Sequence, residues 1–124
     1  MNYAVLLGIF ALSLSASAAE WSGAFACISN DAKKEKLTVS FLDSEIVRTR
    51  ESATSPDRYY RVTDSSEELV EGAILGHRSG AAARLVLVTK GTMNFTMTRL
   101  DGSSITASIK VGKSARTYAC AVEK

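Results

Sequence analysis

The stretch Lys36-Leu37-Thr38-Val39-Ser40-Phe41 decides the fold class, because its apolar side chains fall on every second residue. Successive side chains of an extended chain point to opposite faces. Leu37, Val39 and Phe41 therefore share one face, while Lys36, Thr38 and Ser40 share the other, the pattern of a half-buried β-strand rather than of a helix.

Working outward, the same period of two recurs. Met93, Phe95 and Met97 alternate with Asn94, Thr96 and Thr98, and beyond Asp101-Gly102 the residues Ile105, Ala107, Ile109 and Val111 alternate with Thr106, Ser108 and Lys110. These are the arms of a predicted hairpin. A two-residue Asp101-Gly102 loop would set Met97 opposite Thr106 and mix core with solvent in every pair. A three-residue loop, Leu100-Asp101-Gly102, pairs Met97 with Ile105, Phe95 with Ala107 and Met93 with Ile109, and puts Gly102 at the left-handed bulge position.

Residues 21–28 and 117–123 read as further strands, the second carrying Tyr118, Cys120 and Val122 on one side. Residues 58–63 form another, with Tyr59 and Tyr60 expected to divide between surface and core. The continuous run Leu85-Val86-Leu87-Val88, within residues 83–89, predicts a strand covered on both faces or buried at a packed interface. Residues 65–74 are read as strand or turn, with one short helix as the alternative that Gly72 disfavours. Loops are expected at 30–35, 50–57, 64–68, 76–80 and 112–115. The result is an all-β domain: roughly seven or eight short strands in an antiparallel meander that closes into a small barrel or a two-layer sandwich. Its predicted interior holds Phe25, Leu37, Val39, Phe41, Leu85, Met97 and Ile105.

Residues 4–14 are apolar, uncharged and too short to span a bilayer as a helix, which takes about 20 residues. The small residues Ser15 to Ala19 follow them. That is the pattern of a secretory signal peptide cleaved after Ala18 or Ala19. The expected division is residues 1–19 as leader and 20–124 as a single secreted β domain. After cleavage no second long apolar run is left to span a membrane, and the expected location is periplasmic or extracellular.

Export changes the reading of the two cysteines. An oxidising compartment turns an even pair into an expected disulfide, here Cys27 to Cys120, and a bridge between those positions encloses nearly the whole domain. If the first and last strands are neighbours, both thiols point to the same inner face.

Composition narrows the chemistry further. Among 124 residues there are 15 Lys and Arg against 13 Asp and Glu, a net charge of +2, and a single histidine. Such a balance lacks the strong basic bias of a dedicated nucleic-acid binder, and no nucleic-acid partner is expected even though Arg58-Tyr59-Tyr60-Arg61 interleaves basic and aromatic residues. One histidine and a bonded cysteine pair cannot assemble a usual metal site, so neither metal nor cofactor is expected. His77, in Gly76-His77-Arg78-Ser79-Gly80, is read as a solvated turn histidine, because a base and a serine two residues apart do not make a nucleophile pair. Asp43, Glu45, Asp64, Glu67 and Glu68 are read as a solvated rim. The expectation is a protein without enzymatic activity.

Phe25-Ala26-Cys27, then Leu37 to Phe41, Ser79-Gly80-Ala81, Lys90-Gly91 and finally Cys120 occur in an order that resembles the exported inhibitors of C-type lysozyme. The family's aromatic positions after Ser-Gly and before Lys-Gly are filled here by Ala81 to Ala83 and by Val88-Thr89. The resemblance implies a small exported antiparallel barrel with a disulfide. It also implies that Ser79 and Lys90 enter the lysozyme cleft and meet its catalytic carboxylates, Lys90 by charge and Ser79 by hydrogen bonding. The leading expectation is thus a binding module acting on a protein partner, such as a lysozyme-like enzyme. The alternative is a carrier barrel whose interior leaves a cavity for a small apolar ligand, lined by Trp21, Met93, Met97 and Tyr118.

Overall fold

Alternating sequence becomes nine strands in the computed structural model, which describes residues 21–80, 83–88, 93–100 and 104–123. The expected leader at 1–19 and Lys90 lie outside the described residues. The strands are β1 (Gly23–Ser29), β2 (Lys36–Phe41), β3 (Ile46–Arg50), β4 (Asp57–Ser65), β5 (Leu69–Arg78), β6 (Val86–Leu87), β7 (Met93–Arg99), β8 (Ile105–Val111) and β9 (Ser114–Val122). All pairings are antiparallel. β1 to β5 form a meander, β5 pairs β7, β7 to β9 continue it, and β9 returns to β1, so eight strands close a barrel. β6 is an extra strand held against β5 alone. Closure removes the free edges that a sandwich would leave and decides between the two expected architectures.

The interior follows the period of two. Phe25, Cys27, Leu37, Val39, Val47, Tyr60, Val70, Phe95, Met97, Ile105, Ala107 and Tyr118 are buried in one cluster, with Phe41 and Ile109 packed against it. Aromatic rings run through that core in a chain of contacts. Trp21 touches Phe25 and Phe41 at 6.1 and 6.0 Å between centroids, Phe41 meets Phe95 at 6.5 Å, and Phe95 meets Tyr60 at 5.6 Å. Rings offset or edge-on at these distances add to their burial.

Trp21 closes one end of the barrel. Its indole Nε1 donates to the carbonyl of Ser66 at 2.6 Å, and the Arg99 guanidinium lies over the ring at 4.5 Å. Cys27 and Cys120 face each other directly across β1 and β9, within disulfide distance and with Cα atoms 4.0 Å apart, as the adjacency of first and last strands requires.

Four expectations are corrected. The β7–β8 register differs by two: Met97 opposes Ala107, Phe95 opposes Ile109 and Met93 opposes Val111. Leu100 N donates to Ser104 O at 2.8 Å, so the pairing extends to Leu100 and Ser104 rather than closing on Arg99 and Ser103, while the bulge expected at Gly102 lies outside the described residues. A slip of two leaves every side chain on its own face, and alternation is therefore blind to it.

The run at 85–88 is not a covered strand. Only Val86 and Leu87 pair, and Leu85, expected inside, is 42% exposed, because β7 occupies the edge of β5 over Leu69 to Ala73 and leaves β6 outside the wall. The loop expected at 76–80 is strand as far as Arg78, so His77 is half-buried in β5 opposite Arg58 rather than in a solvated turn. Tyr59 and Tyr60 do face opposite sides, yet both are buried: Tyr60 fills the core and Tyr59 lies on the outer face beneath the Arg78 guanidinium, 5.6 Å from its ring centroid. β3, in turn, has only Val47 as a strongly apolar inward residue, which is why its pattern is faint in the sequence.

Candidate functional site

The end of the barrel opposite Trp21 is open. A cavity of about 360 Å³ opens there between the mouths of β4, β7, β8 and β9, walled by Met93, Ile109, Val111 and the ring of Tyr118 and rimmed by Glu51, Arg58 and Arg116. The Trp21 end holds a pocket of only about 80 Å³. Between the two, Val39, Val47, Tyr60, Phe95 and Met97 are completely shielded from solvent and leave no passage.

The rim charges are paired. Arg58 Nη1 stands 3.7 Å from Glu51 Oε1. Arg116 bonds Glu35 and lies 3.4 Å from Asp31, which fastens β9 to the β1–β2 loop. That loop is locally built by Ser29 and Asp31: Ser29 Oγ donates to Asp31 at 2.9 Å and accepts from Glu35 N at 2.8 Å, while Lys33 N donates to the same Asp31 oxygen. The Ser29 bond is the main reason that the Asp31 carboxyl is held below the usual carboxylate range.

The sequence-predicted site residues do not converge. Ser79 is exposed just beyond the end of β5, at the open end of the barrel, and Lys90 lies outside the described residues. Of the four residues expected to line a carrier cavity, Met93 and Tyr118 reach the mouth, whereas Met97 is core and Trp21 is the plug of the opposite end. Cys27 and Cys120 are brought together.

Sequence reasoning missed a second feature, on the outer wall. Because Val47, Thr49 and Tyr60 point inward, their neighbours Arg48, Arg50, Asp57, Tyr59 and Arg61 point outward, joined across β4–β5 by Arg78. Asp57 is buried at the centre of this group. Arg50 clamps it in a bidentate pair, Nε to Oδ1 and Nη2 to Oδ2 both at 2.7 Å, and with Arg48 and Arg78 close by the carboxyl is held below its ordinary range despite the opposing effect of burial. The signal was present as Arg48 and Arg50 alternating with Val47 and Thr49, but the link to Arg78 needs the β4–β5 pairing.

On the inner side, burial pushes the Tyr60 hydroxyl above the ordinary tyrosine range. Its Oη makes no hydrogen bond of normal geometry, with the Thr49 side chain as its polar neighbour. Tyr118 is raised for the same reason, partly offset by Arg116.

Comparison with protein-family models, with curated proteins and with solved structures finds no significant match to this chain. Any functional reading therefore stands on the molecule's own geometry.

Proposed function

We propose that this chain is a non-enzymatic binding module of an exported compartment that acts on a protein partner through the open end of its barrel. One observation carries the reading: the barrel is solid and plugged at its Trp21 end, so its larger concave relief lies at the open mouth, on the side where exposed Ser79 follows β5. Binding proteins present variable rims on a rigid scaffold in this way. The cross-strand pair Cys27 and Cys120 is compatible with an oxidising, exported location. Transport of a small apolar ligand inside the barrel is the weaker reading, since Met97 and Trp21 occupy the space that such a ligand would need.

The partner class is tested with the enzyme that the sequence resemblance names. Residues 20–124 are mixed with C-type lysozyme and the clearing of a cell-wall suspension is followed. Inhibition is expected, and Ser79→Ala and Lys90→Ala should each weaken it without moving the thermal transition. Absence of inhibition at micromolar protein would remove the lysozyme-like partner.

A further inference from the structure

Charge on the outer wall of β3, β4 and β5 is sorted along the barrel axis. Toward the open end, neighbouring rows of the sheet place Arg50, Asp57 and Arg78 side by side, then Arg48 beside Tyr59, then Arg61. The one carboxylate among them, Asp57, is buried and already bound by Arg50. Acidic residues take over in the following row, where Asp64 opposes Glu71, and in the β4–β5 loop with Glu67 and Glu68. Four guanidinium groups thus lie on three adjacent strands of a chain whose total net charge is +2. Same-face residues about 7 Å apart along a strand set these groups at the spacing of alternate side chains on one face of an extended peptide.

Arginine is suited to this use, because its planar fork binds carboxylates through two parallel hydrogen bonds. Arg78 is held over the Tyr59 ring, 5.6 Å from its centroid, which fixes its guanidinium on the outer face. Beside the patch lies β6, whose Leu87 is 63% exposed and opposes Gly76 in the same row as Arg48 and Tyr59. A basic face bordered by exposed leucine suits a protein segment that mixes acidic and apolar side chains. An acidic polysaccharide has no apolar side chain to set against the exposed Leu87, whereas a protein segment does.

We infer that the outer face formed by Arg48, Arg50, Arg61 and Arg78 docks an acidic, apolar-containing segment of a protein partner. It is a surface separate from the open mouth and does not depend on a lysozyme-like partner.

The test uses a fluorescent peptide of alternating Glu and Leu as probe and polygalacturonate as the acidic polysaccharide arm. Affinity is measured at low and at physiological salt. The double variant Arg48→Glu/Arg61→Glu spares the Arg50–Asp57 pair and should weaken peptide binding about tenfold or more, two reversed ion pairs at a partly exposed face. Lys33→Glu/Lys113→Glu, with the same change in net charge but on the exposed β1–β2 and β8–β9 connections, should leave it within about twofold. Unchanged melting of both variants shows that the fold is intact. Equal losses in the two variants, no measurable peptide binding, or polygalacturonate binding as tightly as the peptide would each overturn the inference.

Discussion

Asp57 shows at the scale of one residue how burial and charge are reconciled. A carboxylate taken out of water is costly unless it is both paired and hydrogen-bonded, and Arg50 supplies both through two bonds of 2.7 Å. Because the folded carboxyl is held below the ordinary aspartate value of about 3.9, it binds fewer protons than the unfolded one in the acid range. Its stabilising effect is therefore complete above that value and is lost as the pH falls through the folded value. Asp57→Asn should lower the urea midpoint at neutral pH and flatten the decline of that midpoint on the acid side. Parallel curves for the two proteins would show that the pair contributes nothing to acid sensitivity. Tyr60 is the contrasting case on the inner side, a hydroxyl buried for the sake of its ring. The sequence supplied both residue types but not their surroundings, since the charged neighbours of Asp57 come from the two strands that flank its own, β3 and β5.

Among the elements, β6 is the one whose existence depends on a single neighbour. Its pairing with β5 brings Val86 O so close to Gly76 that an added Cβ would stand 2.5 Å from it and 3.2 Å from Leu85 Cδ1. Glycine is required there because the two backbones meet without room for a side chain. Gly76→Ala should displace β6, cost about 1–3 kcal/mol of stability, and speed amide exchange at Val88, whose N–H donates to Leu75 O at 2.9 Å, while β7 and β8 stay protected. Unaltered exchange at that amide would refute the close approach. Elements with strict alternation, β2, β7 and β8, were legible in the sequence. β6 was misread because a continuous apolar run looks the same whether two faces are covered or none is, and only the competition between β6 and β7 for one edge of β5 separates the cases.

At the scale of the whole molecule, the barrel is a meander whose last strand must find its first. Cys27 and Cys120 sit at that seam, 93 residues apart in sequence. A bridge of this span removes much of the freedom of the unfolded chain, a stabilisation of about 4–5 kcal/mol in the chain-entropy account. The oxidised protein should show no titratable thiol, and reduction should lower its unfolding free energy by that order in urea titrations. A difference below about 1 kcal/mol would mean that the seam holds without the bond.

The all-β class, most inward-facing residues and the partnership of the two cysteines can be read from the order of residues alone. Each of these follows from a local rule, period-two alternation or an even cysteine count. Closure into a barrel, the β7–β8 register, the exposure of Leu85 and the gathering of four arginines on one outer wall emerge only from the pairing of the strands. A register slip of two conserves every face, and strand neighbours distant in sequence carry no local mark, so these features become definite only when all strands compete for the same edges and the same core.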